Sequence, residues 1–274
     1  MSDTAPRTGA VEHLARNDRL IVLGAICLIV LLAGLYTIYG AGMQMTALDM
    51  TRMARPIGQP MAMGGAQPWT PAYALLIFLM WWIMMIAMMV PSAAPMLLLF
   101  TAVKKAGADT RQAHRDNFLF LCGYLLAWCL FSALATALQW ELELVGLSNG
   151  PMMTVSSRAL AGGMLIAAGL YQVTPLKQAC LSHCRSPANF LTRHKRSGAL
   201  GALTMGLHHG AYCLGCCWAL MILLFVGGVM NLYWIVGLAL IVLAEKLLPH
   251  ARAFAAITGS LMTGVGGYVL ITGL

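Results

Sequence analysis

AYALLIFLMWWIMMIAMMVPSAAPMLLLFTA, residues 72–102, runs for thirty-one residues without a charged side chain. At about 1.5 Å per residue it is longer than the roughly 30 Å hydrocarbon core of a bilayer, and backbone placed in lipid must satisfy its own polar groups, which a helix does. Outward from this stretch, further apolar runs fall at 20–42, 117–140, 158–176, 198–228, 231–248 and 253–273. Gly227, Gly228 and Asn231 mark a tight turn between two of them. The pattern predicts an all-α protein, a polytopic transmembrane bundle of about seven helices.

Composition agrees. The 274 residues are 60% hydrophobic and 9% charged, against about 25% charged in soluble domains. A net charge of +8 in such a chain is a statement about topology and not about nucleic acid. Residues 1–19 are a polar, basic tail, and 20–274 form a single membrane domain. The apolar run that begins at Leu20 is too long for a signal-peptide core of about 7–15 residues, so it is expected to be the first span. With the N-terminus in the cytoplasm, 14 of the 17 Lys and Arg fall on the cytoplasmic side; only Arg52, Arg55 and Arg158 lie opposite. An odd number of spans then leaves Leu274 outside, with 43–71 as an outer loop and 177–197 as a cytoplasmic one. Glycines such as Gly206 and Gly210 are spaced for close helix packing, and whether they pack within one chain or between the subunits of a homo-oligomer is open.

Four segments carry chemistry. In 80–89, five residues of ten are methionine: Met80, Met84 and Met88 share one helical stripe, and Met85 and Met89 share the next. Pro91 and Pro95 follow and are expected to kink or unwind the helix. In MGLHHGAYCLGCCWALM, Met205, His209, Cys213 and Cys216 fall on one helical face, with Cys217 just off it and His208 to one side. Thioether, imidazole and thiol donors suit Cu(I) first and Zn(II) second. A third group, Cys180, His183 and Cys184, stands near the basic Lys177 and Arg185. A fourth is the outer loop, where Met43, Met45, Met50, Met53, Met61 and Met63 place six methionines in 21 residues. That loop reads either as a Cu(I) capture segment or as an amphipathic loop lying at the lipid interface.

Taken together, MMIAMMVPSAAPM, GYLLAW, GLYQVTPLKQACLSHCRSP, GLHHGAYCLGCCWALMILLFVGGVMNLYW and EKLLP resemble a bacterial family of predicted metal-binding integral membrane proteins, from about Trp82 to Pro249. The resemblance implies a multi-pass protein of the bacterial inner membrane that binds a metal linked to copper. It carries over Met84, Met85, Met88, Met89, Cys180, Cys184, Cys213, Cys216 and Cys217. The outer loop lies outside it.

The function expected is Cu(I) binding in copper transport, delivery or homeostasis, with the lipid bilayer as solvent and a metallochaperone or a membrane oxidase under assembly as partner. No P-loop is present to power transport by nucleotide hydrolysis. The alternatives are a membrane thiol-disulfide oxidoreductase, for which Cys213 and Cys216 have the spacing, and a structural subunit of a membrane complex. Haem is disfavoured because His208 and His209 point to different helix faces.

Overall fold

The apolar runs fold as helices in the computed structural model, which describes residues 8–40, 45–54, 57, 68–105, 110–149, 153–194 and 196–272. In chain order these are α1 (Thr8–Tyr39), α2 (Ala47–Arg52), α3 (Pro71–Lys105), α4 (Thr110–Leu144), a two-residue pair of strands β1 (Ser148–Asn149) and β2 (Thr154–Val155), α5 (Arg158–Gln172), α6 (Pro175–Arg185), α7 (Pro187–Arg193), α8 (Gly198–Ile222), α9 (Leu224–Gly227), α10 (Leu232–Leu247) and α11 (Ala251–Thr272). Helix starts follow local capping chemistry. Thr46, Ser157, Thr174 and Asn231 each accept a backbone N–H in the first turn of α2, α5, α6 and α10, and Pro175 opens α6 where its missing donor costs nothing.

Among the described residues five helices are long and apolar enough to cross a membrane, or six if α5 and α6, bent by 62° at their junction, count as one broken span. The remaining run, expected at 231–248, is α10, whose 16 residues extend about 24 Å. Its ends are tied to distant segments. The Leu232 amide donates to Thr51 Oγ1 at 3.0 Å, while Arg185 donates to the carbonyls of Leu248 and Pro249 at the opposite end. Similarly, Arg158 at the start of α5 donates to the Thr272 carbonyl at the end of α11.

Glycines decide which helices meet closely, and they do so within the chain. A Cβ at Gly206 of α8 would lie 1.9 Å from the Phe120 carbonyl oxygen of α4, so α4 and α8 touch backbone to backbone. Gly162 of α5 and Gly266 of α11 stand in the same relation. Large apolar side chains line the outside, among them Leu28, Leu31 and Leu32 on α1, Leu130 and Leu134 on α4, and Leu261 and Ile271 on α11. An exposed apolar belt of that extent is compatible with a lipid surround.

The unwinding expected at Pro91 and Pro95 does not occur, because α3 continues through both. The carbonyls that lose a donor to the two prolines are those of Ala87 and Pro91; the Met89 carbonyl, between them, accepts from Ser92 at 2.8 Å and from Tyr124 at 3.1 Å. Of the outer-loop methionines, Met50 is buried at 1% exposure, and Met45 and Met53 pack half-buried on the core. Met43, Met61 and Met63 lie outside the described residues.

Candidate metal centre

Helical spacing puts the methionines of α3 on adjoining stripes, and both stripes face inward: Met84, Met85, Met88 and Met89 are at most 4% exposed. On α8, Cys213, Cys216 and Cys217 are buried in the same core, and the Cys217 thiol stands 4.0 Å from the Met89 thioether sulfur. A third helix adds to the group. Cys184 of α6 lies beside Cys213 and Cys216, half-buried against the same core, and Cys180 packs against Gly215, where a Cβ would meet its sulfur at 2.8 Å. All eight cysteines are free thiols.

Cys213 is the hub. Its sulfur lies 3.1 Å from the Tyr124 hydroxyl of α4 and accepts from the Lys246 ammonium of α10 at 3.0 Å. Lys246 also donates to Ser92 at 2.8 Å, and Ser92 donates on to the Met89 carbonyl. Hydrogen bonds therefore tie the thioether-bearing turn of α3 to the thiol-bearing turn of α8 through residues of α4 and α10. The Cys216 and Cys217 thiols both point back to the Cys213 carbonyl, at 3.1 and 2.8 Å. The neighbouring residue Glu245 faces away from this centre and pairs with fully buried Lys177 at 2.7 Å, with Gln172 bonded to both. Lys177 is thus engaged by a carboxylate and not by the cysteines that follow it on α6.

Other residues singled out from the sequence lie apart from the thiols. His183 turns away from Cys184: its ring stacks on Tyr212 at 4.3 Å and its Nδ1 contacts the Ala179 carbonyl. His208 is half-buried and faces His194. Met205 belongs to an adjoining core with Phe100, Phe120 and Phe190. His209, one turn before Cys213, is 2% exposed and sits among the rings of Phe120, Tyr124 and Phe190; its Nδ1 has no hydrogen-bond partner. A buried imidazole nitrogen left unpaired is costly unless something occupies it. Along one face of α8, Met205, His209, Cys213 and Cys217 succeed one another every four residues, all buried.

Tyr124, Ser92 and Lys246 were not foreseen as part of the site. Tyr124 stands in the GYLLAW motif beside Gly123, whose Cβ would strike the Leu203 carbonyl of α8 at 2.0 Å. The small residue that admits α8 was the available signal.

Among the described residues no three His, Cys, Asp or Glu side chains are disposed as a preformed cage for a metal ion. The donors that do converge are thiols and thioethers, which select soft monovalent copper over hard cations. Residues 78–269, more than half of the chain, match the PpoB2 family model, described as copper chaperone. No curated protein and no solved structure matches.

Proposed function

The chain belongs to the PpoB2 copper chaperone family, and on that premise we propose that it is a multi-pass protein of the bacterial inner membrane that takes up Cu(I) in a buried thiol–thioether centre and hands it on. The observation that carries the proposal is the convergence of Cys213, Cys216 and Cys217 with the α3 methionines, the Cys217 thiol standing 4.0 Å from the Met89 sulfur. Cu(I) is the cargo such a donor set prefers, and Zn(II) is its nearest competitor. The α8 series Met205, His209, Cys213 and Cys217 offers donors one helical turn apart, spacing that permits exchange from one to the next. Delivery to a metallochaperone or to an oxidase under assembly, or passage across the bilayer, follows from the same centre.

Seven crossings with a cytoplasmic N-terminus are part of the proposal. The charge bias supports the orientation. The ties of α10 to Thr51 at one end and to Arg185 at the other support its crossing despite its length, because those two residues belong to loops on opposite sides in that topology.

The test is an anaerobic Cu(I) titration of the detergent-solubilised protein against a competing chelator. Stoichiometric, tight binding is expected, and the variant carrying both Cys213→Ser and Cys216→Ser loses that tight class. Unchanged affinity and stoichiometry in the variant would remove the centre from α8. A reduced wild-type protein that takes up no Cu(I) would move the function to thiol redox chemistry.

A further inference from the structure

Outside the thiol centre the structure brings together a second set of ligand-type side chains. His194, just after α7, and His208 of α8 lie with ring centroids 5.9 Å apart and ring planes at 82°. Both are half-buried, so they stand between the packed core and the surface. The His194 Nδ1 lies 3.3 Å from the Phe190 carbonyl. A backbone carbonyl on one ring nitrogen fixes the tautomer and leaves the other nitrogen as the ligand, which is how metal-binding histidines are commonly oriented. Two imidazoles sharing one ion at about 2.0–2.1 Å per bond place their ring centres about 5–6 Å apart, and the observed spacing falls in that range. The pair also has a defined relation to the α8 donors. The Phe190 ring stacks on His194 at 4.7 Å and meets His209 edge-on at 5.4 Å, so one buried aromatic ring separates the outer imidazole pair from the first imidazole of the buried series.

We propose that His194 and His208 form a second metal site, a two-imidazole docking station that holds copper at the mouth of the α8 series, with Phe190 as the partition between the two. Its role in hand-over rests on the proposed function above; its existence as a site does not. Two imidazoles bind more weakly and are less selective for soft ions than the thiol set, which suits a station from which the ion must leave.

The experiment is a Cu(I) titration of the full-length protein against chelators of graded strength, read together with X-ray absorption of each bound equivalent. Two classes are expected: a tight one with sulfur scatterers and a weaker one with nitrogen scatterers. His208→Ala and, as a milder variant, His194→Gln each eliminate the nitrogen class and leave the sulfur class at wild-type affinity. A wild-type protein without a nitrogen class, or a nitrogen class that persists in both variants, overturns the proposal. Loss of the sulfur class alone in wild type would instead overturn the thiol–thioether centre, and the same two variants would still decide the imidazole site.

Discussion

Cys213 illustrates how a single side chain acquires a role through its partners. Helical periodicity places it on the buried face of α8, yet the groups that hold its sulfur, Tyr124 and Lys246, come from two other helices. Periodicity identifies a face and not the neighbour that covers it, which is why the thiols and methionines were legible in the sequence and their hydrogen-bond partners were not. Lys246 in particular reads as one more cytoplasmic charge until the fold turns it inward. Tyr124→Phe removes one hydroxyl from both Cys213 and the Met89 carbonyl while keeping the ring. The loss should cost about 1 kcal/mol of stability and, by releasing the orientation of a ligand, lower Cu(I) affinity by about 10–100-fold. Thermal unfolding and chelator competition measure the two effects separately. A lower melting temperature with unchanged affinity would reduce the hydroxyl to a packing role.

Among the elements, α6 departs furthest from what its sequence suggests. As a short stretch after a span, with two cysteines and a histidine, it predicts a compact C-x2-H-C ligand cluster; instead the helix divides those side chains, Cys184 toward the thiol centre and His183 onto Tyr212. The division follows from geometry, because adjacent residues on a helix lie about 100° apart and only one can face the core. A buried ion pair of Lys177 with Glu245 ties α6 to α10. Removing one partner of such a pair leaves the other charge buried and alone. Lys177→Met is therefore expected to destabilise the protein by about 3–5 kcal/mol, while the double variant Lys177→Met with Glu245→Leu recovers most of that loss. Because α6 carries Cys184, the single variant should also disturb Cu(I) binding and the double variant restore it. Equal destabilisation by single and double variants would show that Gln172 and the surrounding packing, not charge balance, position α6.

For the whole molecule, the long apolar helices were legible from hydropathy: α1, α3, α4, α8 and α11, each long and apolar enough to cross a membrane, fall where the apolar runs lie. The less regular apolar runs were harder to read: one breaks into α5 and α6 at 62°, and another shortens to sixteen residues as α10. Whether α10 crosses fixes the side of the C-terminus. With seven crossings and a cytoplasmic N-terminus, Leu274 lies outside; if α10 does not cross, the count is six and the C-terminus returns to the cytoplasm. The Arg158 bond to the Thr272 carbonyl ties the end of α11 to the start of α5, a segment the charge pattern assigns to the outside. A reporter active only outside the cytoplasm, fused after Leu274, should be active, and a cytoplasm-specific reporter at the same position should be silent. The opposite result would remove α10 from the set of crossings and place Lys246 and Arg252 outside, breaking the charge bias that orients the chain.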